Sequence, residues 1–273
     1  MTVSILGCGW LGFPLAQYLV NEGVKVKGTT TSPEKVPLLL QTGIEAYKIQ
    51  LPEEINSSDS EAFWNADVLF LNIPTSAGDG SDQSDSYPDL IKEVADRAKK
   101  GGIPEIIFTS STSVYSSTGG ITTEKDAKPG SAARPSGEAL LKAEDAIIQS
   151  GLDYLILRLG GLYGYDRHPV KYLAGKKNLP DPLKPVNLIH REDCIQIIHI
   201  LLNKKIKNEI YNVVSDGHPP RNELYTSAAK HWDLPEPEFK DTPKKNFRIV
   251  SNEKLKRDLQ ITFLYPNPMD HTS

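Results

Sequence analysis

The sequence predicts an α/β fold in which a doubly wound parallel sheet is joined to a smaller C-terminal lobe. Segments of strand and helix character alternate along most of the 273 residues. Two strand segments, Val68–Ile73 and Ile106–Thr109, are nearly continuous apolar runs, which is typical of strands covered on both faces. Because parallel neighbours need a crossover connection, the alternation indicates a doubly wound sheet. Proline-rich later segments predict a loop-rich lobe.

Local signals place the individual elements. Apolar residues recur at helical spacing from Leu11 to Asn21, Ser32 and Pro33 form a helix start, and Gly43 ends that helix. The polar segment between Pro74 and Asp89 is predicted to be a flexible lid or a disordered loop, with the disordered loop favoured. The predicted strands are 3–6, 24–28, 44–51, 68–73, 106–109, 154–159 and 209–214. The predicted helices are 11–21, 33–42, 87–100, 137–150 and 191–202.

Composition and charge exclude several classes of partner. A formal net charge of −4 gives no broad positive field, so neither nucleic acid nor an anionic membrane is expected as a partner. Cys8 and Cys194 lie in apolar stretches without the spacing of a metal site, and we expect reduced structural thiols and no metal. Without a signal-peptide pattern or a membrane-length apolar run, a cytoplasmic location is predicted.

The first chemical signal is the turn Gly7-Cys8-Gly9-Trp10-Leu11-Gly12, between the first predicted strand and helix. In a Rossmann βαβ unit, such glycines allow a tight bend, a close approach of the backbone to a pyrophosphate, and packing of helix against strand. This context favours dinucleotide binding over a merely structural turn. The residues predicted to bind the cofactor here and at later strand ends are Gly7, Gly9, Trp10, Leu11, Gly12, Ile73, Pro74 and Ser110.

The end of the second predicted strand bears on the choice of cofactor. An NAD-selective site would place Asp or Glu there, whereas this chain has Thr29, Thr30, Thr31 and Ser32, with Lys35 one turn later. Small hydroxyls and a lysine tolerate a 2′-phosphate better than a carboxylate does, so NADP is favoured and NAD is possible. Thr30, Thr31 and Ser32 are therefore candidate cofactor residues. The alternative is that Thr30 and Ser32 serve only as a loop and a helix cap.

These pieces together resemble the extended and atypical short-chain dehydrogenases/reductases, close to the NAD(P)-dependent epimerase/dehydratase family. The matching segments, in family order, are Gly7–Gly12, Phe108–Tyr115, Leu157–Gly164, Val186–Asp193 and Ile210–Val214. The resemblance implies an NAD(P)-binding Rossmann domain at 1–160, completed at about 187–214, and a substrate-binding lobe at 161–186 and 215–273. It also implies hydride transfer to or from a sugar nucleotide or similar polyol, by a monomer or homodimer.

The usual catalytic residues of that family match this chain only in part. Ser111 stands where the family serine hydrogen-bonds the reacting oxygen. The family's Tyr-x-x-x-Lys is missing from the following helix, where one register pairs Ser136 with Leu140 and another pairs Glu138 with Lys142. The sole Tyr-x-x-x-Lys in the chain, Tyr172 to Lys176, lies in the substrate lobe and is interpreted as coincidence.

Other side chains are candidates for the missing roles. Tyr115 could act as a substitute acid, although packing beneath the substrate is the favoured alternative, and Tyr163 carries the same pair of interpretations. Arg167 could meet a phosphate or carboxylate of the substrate, or form a surface ion pair. His190 and Asp193 could form a titrating pair, but helix-start chemistry is favoured. Asn187 is either a cleft residue or a buried structural amide. The candidate catalytic residues are thus Ser111 and Tyr115, and the candidate substrate residues are Tyr163, Arg167, Asn187 and His190.

Three functions remain open at this stage. The first is an NADP-dependent oxidoreductase or epimerase acting on a small molecule with Ser111 and a non-standard acid. The second is a catalytically silent NADP-binding sensor. The third, an interaction scaffold without a cofactor, is least favoured because it leaves the glycine turn without a purpose.

Overall fold

The apolar runs of the sequence form a seven-stranded sheet in a computed structural model that describes residues 1–75, 84–241 and 247–270. In chain order the strands are β1 (Thr2–Leu6), β2 (Lys25–Thr30), β3 (Glu45–Lys48), β4 (Val68–Leu71), β5 (Glu105–Ser111), β6 (Ile121–Thr122), β7 (Asp153–Leu159), β8 (Gly161–Tyr163), β9 (Leu188–His190), β10 (Glu209–Val213) and β11 (Ile249–Val250). The helices are α1 (Gly12–Asn21), α2 (Val36–Gln41), α3 (Tyr87–Lys100), α4 (Pro135–Gln149), α5 (Arg191–Asn203), α6 (Arg221–His231) and α7 (Glu253–Leu259).

The strand order across the main sheet is β10-β7-β5-β4-β1-β2-β3. Strand β1 pairs in parallel with β2 on one side and β4 on the other, and β3 and β5 continue the parallel pairing outward. The direction of winding therefore reverses between β1 and β4, which is where ligands bind in open parallel sheets. All of β4 and Val3–Leu6 of β1 are buried, as the predicted two-sided covering requires.

The chain divides into two compact units. The first comprises Met1–Ser110, Arg134–Leu157 and Leu201–Ile210, and the second comprises Ser111–Ala133, Arg158–Ile200 and Tyr211–Ser273. The second unit contains two small parallel sheets, β6·β11 and β8·β9, and a core formed with α6. It includes 111–133, which the sequence-based division placed with the Rossmann domain. The division into cofactor and substrate domains at residue 160 stays a prediction.

The predicted helix at 33–42 is wrong in one respect, because the structure has a short 3-10 turn at Pro33–Lys35 followed by α2. Pro37 occupies the first turn of α2, and its ring and missing N–H favour a new helix start over continuation. Residues 76–83 of the predicted lid or disordered loop lie outside the described residues. Among the described helices, none combines the length and apolar character needed to cross a membrane.

Candidate cofactor site

The glycine turn connects the buried end of β1 to the start of α1, and two of its glycines are needed for packing. Gly7 has a φ of +108°, and a Cβ on it would lie 2.3 Å from the Asn72 carbonyl oxygen. A Cβ on Gly12 would lie 2.1 Å from the Gly7 carbonyl oxygen. Any side chain at these two positions therefore collides with backbone atoms of the turn itself or of the residue after β4.

Gly9 is different, because a Cβ built there meets no heavy atom within 4 Å. The absence of a side chain is thus not required by the protein's own packing. At the start of α1, the preceding residue Leu11 supplies no side-chain hydrogen bond to cap the helix. Open space beside an uncapped helix N-terminus fits the diphosphate of a dinucleotide, since backbone N–H groups and the helix dipole favour an anion there.

Two polar residues, Thr29 and Asn72, hold the turn in place, a role that the sequence analysis did not predict for either of them. Thr29 accepts the Gly7 N–H on its Oγ1 at 2.9 Å and the Cys8 N–H on its carbonyl oxygen at 3.0 Å. Asn72 donates from Nδ2 to the Gly7 carbonyl oxygen at 3.2 Å and accepts from Thr109 Oγ1 at 3.1 Å. The available signal was a polar residue at or directly after the end of an apolar strand.

A pocket of about 340 Å³ opens at these strand ends in the first unit. Residues from the ends of β1, β2, β3 and β4 contribute to it, with one residue from α3. Its lining residues are Leu6, Gly7, Cys8, Gly9, Thr29, Thr30, Thr31, Lys35, Ile49, Gln50, Leu51, Asn72, Ile73, Pro74 and Leu90. No aspartate or glutamate is among these described lining residues, so the sole formal charge on the lining is the Lys35 ammonium.

The predicted cofactor residues divide into two groups. Those that line the pocket are Gly7, Gly9, Thr30, Thr31, Ile73 and Pro74; those that do not are Trp10, Leu11, Gly12, Ser32 and Ser110. Leu11 is only 2% exposed and belongs to the core. Ser110 is buried too, and its hydroxyl donates to Glu144 Oε1 at 2.5 Å. Leu11 and Ser110 thus have packing roles in this structure.

The hydroxyl-rich end of β2 presents some groups to the pocket and uses others internally. Thr30 Oγ1 accepts the Ser32 N–H at 3.1 Å, so this hydroxyl stabilises the loop, in agreement with the alternative interpretation. Thr31 and Lys35 are exposed and line the pocket. Cys8 also lines the pocket, but burial raises the pKa of its thiol to about 12, which keeps it protonated.

Comparison with known proteins identifies the family. A family model described as NAD(P)H-binding matches residues 7–204, which span the glycine turn and most of the strands above. The chain belongs to this NAD(P)H-binding family. The protein YeeZ of Escherichia coli K12 is 35% identical over 271 residues, which cover 98% of this chain and 97% of YeeZ.

Solved structures show the same fold. The UDP-glucuronic acid 4-epimerase of Bacillus cereus, in complex with UDP-glucuronic acid and NAD, matches with a TM-score of 0.79 and 18% identity, covering 99% of this chain and 96% of that one. A functionally unknown conserved protein of Silicibacter pomeroyi matches with a TM-score of 0.76 and 23% identity, covering 98% and 95%. The predicted Rossmann fold is confirmed, and the family model confirms the expected NAD(P)-binding family.

Helix α4 of this NAD(P)H-binding protein shows where the two registers of the missing motif place their side chains. Lys142 is exposed and lines a groove beside α3 with Asp96 and Lys99. Leu140 is 7% exposed and packs into the core. Neither register therefore supplies a phenol paired with an inward lysine. Tyr172, of the other Tyr-x-x-x-Lys, is 72% exposed on the second unit.

Tyr115 is fully buried in a polar network of the second unit. Its hydroxyl donates to Asn212 Oδ1 at 2.5 Å and accepts from Arg158 Nη1 at 2.9 Å. Arg158 also donates to the Glu124 carbonyl oxygen at 2.9 Å. A phenol with a donor and an acceptor already in place is held as a structural group, so the geometry favours the packing role over the catalytic role of Tyr115.

The remaining catalytic and substrate candidates are also in the second unit. Ser111 accepts the Ser113 N–H at 3.1 Å and so caps a short 3-10 turn. Asn187 donates to the Arg248 carbonyl oxygen at 3.2 Å and accepts the Val250 N–H at 2.8 Å, as a structural amide does. Arg167 is exposed.

His190 and Tyr163 are buried against each other, with ring centroids 5.1 Å apart. His190 Nδ1 accepts the Glu192 N–H at 3.2 Å, which is the favoured helix-start role. Burial, followed by the charge of Arg191, lowers the pKa of His190 to about 4, so the ring is neutral at pH 7. Burial also raises the pKa of Tyr163.

Asp193 holds the C-terminal segment against the start of α5. Its carboxylate accepts the Leu264 N–H at 2.7 Å and the Tyr265 N–H at 3.1 Å. Burial raises the pKa of this carboxyl to about 6. His190 and Asp193 thus support local structure at the same helix start.

Proposed function

We propose that this protein is an NADP-dependent reductase or epimerase that acts by hydride transfer on a sugar nucleotide or a small carbonyl compound. Its membership of the NAD(P)H-binding family establishes the nicotinamide cofactor, and the proposal adds NADP and the substrate class. The observation that carries the cofactor choice is the pocket lining. Thr31, directly after β2, and Lys35, in the 3-10 turn that follows, belong to it, and no carboxylate is among the described lining residues.

The residues of the pocket fit the parts of a dinucleotide. The turn at Gly7–Gly9 would hold the diphosphate, and Thr31 with Lys35 would receive a 2′-phosphate through hydrogen bonds and charge. Asn72 fixes the Gly7 carbonyl through the hydrogen bond from its Nδ2. When bound, the nicotinamide supplies or accepts the hydride. Ser111 is proposed to orient the reacting oxygen.

The substrate class is supported by one of the similar structures. The Bacillus cereus epimerase was solved with UDP-glucuronic acid, and its fold covers nearly the whole of this chain. The cytoplasmic location and the choice between monomer and homodimer stay predictions.

A titration of the purified protein with NADPH and NADH tests the cofactor choice. We expect NADPH to bind at least about tenfold more tightly, and Lys35→Ala to remove most of that preference, since tenfold corresponds to about 1.4 kcal/mol. Lys25→Ala is the matched control, because Lys25 is an exposed lysine at the opposite end of β2. Equal affinity of the wild type for both cofactors contradicts the NADP proposal.

A catalytically silent NADP-binding sensor is the second candidate. Two observations favour it: α4 lacks the Tyr-x-x-x-Lys pair, with Lys142 exposed, and the buried Tyr115 hydroxyl already has a donor and an acceptor. Two labelling experiments distinguish the candidates: NADPH deuterated at the transferring position with small carbonyl compounds as hydride acceptors, and oxidised NADP with UDP-sugars deuterated at a secondary carbon as hydride donors. Deuterium in the reduced carbonyl compound, or on the nicotinamide, supports the enzyme, whereas tight cofactor binding without transfer in either direction supports the sensor.

A further inference from the structure

One wall of the cofactor pocket is tied to the first residue of α3. Ile73 and Pro74, which we name the β4 wall, line the pocket shortly after the end of β4. The Tyr87 hydroxyl donates to the Ile73 carbonyl oxygen at 2.8 Å, across 14 positions of the chain. Tyr87 is 1% exposed and is not among the described lining residues. A buried residue outside the pocket thus holds the backbone of a residue that lines it.

The β4 wall lies beyond the paired part of its strand. Strand β4 ends at Leu71, and the Asn72 N–H makes a further bond to the Leu6 carbonyl oxygen of β1 at 3.0 Å. Pro74 has no N–H with which to continue this pairing, and a residue that precedes proline is confined to extended conformations. The bond from Tyr87 therefore fixes the direction of the Ile73 carbonyl at a point where the chain has passed the end of the strand.

The first turns of α3 contribute to the pocket in two ways. Leu90 lines the pocket directly, and its N–H donates to the Ser86 carbonyl oxygen at 3.1 Å. Tyr87 supports the β4 wall from the same end of the helix. Burial raises the pKa of the Tyr87 phenol, so its hydroxyl stays protonated and able to donate. The position of the wall is thus coupled to the start of α3.

We propose that Tyr87 is a positioning residue for the nicotinamide cofactor, because its hydroxyl holds the β4 wall in the place where the cofactor contacts it. The inference rests on the proposed function, since it takes this pocket as the cofactor site. A wall that is fixed before binding does not have to be ordered on binding. When the wall is released, the dissociation constant rises in inverse proportion to the fraction of molecules that still hold it in place.

Tyr87→Phe tests this role, because it keeps the buried ring and removes only the hydroxyl. We expect fluorescence titration to show about fivefold or more weaker binding of NADPH, which corresponds to a correctly placed wall in about one fifth of the molecules. NADH should lose the same factor, since the wall lies at the end of β4 and the 2′-phosphate is proposed to bind after β2. A loss confined to NADPH contradicts the positioning role.

Tyr211→Phe is the matched control. Tyr211 is 0% exposed, and its hydroxyl donates to Asp258 Oδ2 at 3.2 Å, away from the residues that line the pocket. Each variant loses one hydrogen bond of a buried tyrosine, so both melting temperatures should fall by a few degrees. Only Tyr87→Phe should lose affinity. Wild-type affinity in Tyr87→Phe, or an equal loss in Tyr211→Phe, overturns the inference.

Hydrogen exchange of the wild type provides a second measurement that does not depend on the folding of a variant. Ile91 is buried in α3 outside the pocket lining, and in an α-helix its N–H pairs with the Tyr87 carbonyl. Bound NADPH fixes the wall and with it Tyr87, so the Ile91 amide should exchange more slowly. The Gly101 amide, bonded to the Arg97 carbonyl at the other end of α3, should keep its rate. An unchanged rate at Ile91 overturns the inference.

The outcomes separate this inference from the proposed function. If the wild type binds NADPH and Tyr87→Phe binds it equally well, the positioning role fails while the cofactor site stands. A wild type that binds no nicotinamide cofactor contradicts the proposed function itself.

Discussion

Gly9 differs from its neighbours Gly7 and Gly12 in the reason for having no side chain. At Gly7 and Gly12 an added carbon would lie 2.3 and 2.1 Å from backbone oxygens, whereas at Gly9 it meets nothing within 4 Å. The first two glycines therefore serve the fold, whereas the open space at Gly9 is where we propose that the diphosphate lies. A substitution at Gly9 can therefore test binding without disturbing the fold.

We expect Gly9→Ala to fold with wild-type stability and to weaken NADPH binding by at least about tenfold, or 1.4 kcal/mol, because the methyl group enters the space next to the helix N-terminus. Fluorescence titration with NADPH and thermal unfolding measure the two properties. Gly120→Ala is the matched control, since Gly120 has equally open surroundings and does not line the pocket. Wild-type NADPH affinity in Gly9→Ala would show that the turn does not hold the diphosphate.

Among the elements, α5 begins with a buried carboxylate that has a consequence for stability. Folding raises the pKa of Asp193 from about 3.8 to about 6 through burial. A carboxyl with a raised pKa takes up a proton on folding, so its contribution to stability is fully present below about pH 4 and is lost as the pH rises through 6.

Asp193→Asn removes this titration. Relative to the variant, the wild type should therefore lose up to about 3 kcal/mol of unfolding free energy between pH 4 and pH 7, from two pKa units at about 1.4 kcal/mol each. Urea unfolding at several pH values measures the difference. Asp145→Asn, at an exposed carboxylate on α4, should follow the wild-type curve. Parallel curves for the wild type and Asp193→Asn would mean that the carboxyl titrates alike in the folded and unfolded chain.

The strands and helices of the main sheet could be predicted because each has a periodic apolar pattern and a glycine, proline or cap at its ends. Helix α3 is predicted to the residue. The start of helix α2 could not be predicted to the residue. Pro37 follows Pro33 so closely that the apolar pattern does not show that a new helix begins at Val36. The short pairs β6·β11 and β8·β9 join segments distant in sequence and have too few residues for a periodic signal.

At the site, the sequence indicates the glycines and the hydroxyl-rich end of β2. Glycine is recognisable because it allows a tight turn and a close approach of the backbone, and small hydroxyls in place of a carboxylate are recognisable because they tolerate a phosphate. The sequence does not indicate that Thr29 and Asn72 hold the glycine turn, because that role depends on hydrogen bonds between segments distant in sequence. It also cannot show that Tyr115 is fully buried, because a Val-Tyr pair at a strand end is compatible with both exposure and burial.

At the scale of the whole molecule, binding of the cofactor should increase the stability of the protein against thermal unfolding. A ligand that binds only the folded chain at 100 times its dissociation constant adds about 2.7 kcal/mol. We therefore expect NADP to raise the melting temperature more than NAD at equal concentration, and Lys35→Ala to reduce that difference. Differential scanning fluorimetry measures these shifts, with ATP as a control nucleotide that has no nicotinamide. Equal shifts with NADP and NAD would argue against the 2′-phosphate contact.

Thr29 couples the end of β2 to the glycine turn. The strand end that positions Thr30 and Thr31 also fixes the amides of Gly7 and Cys8, because Thr29 accepts both N–H groups. A redesign that bends the end of β2 to accept a different ribose substituent would therefore also move the Gly7 and Cys8 amides, where we propose that the diphosphate binds. Conversion of the protein from one nicotinamide cofactor to the other should therefore succeed only through exchanges of side chains at positions 31 and 35, with the backbone path left as it is.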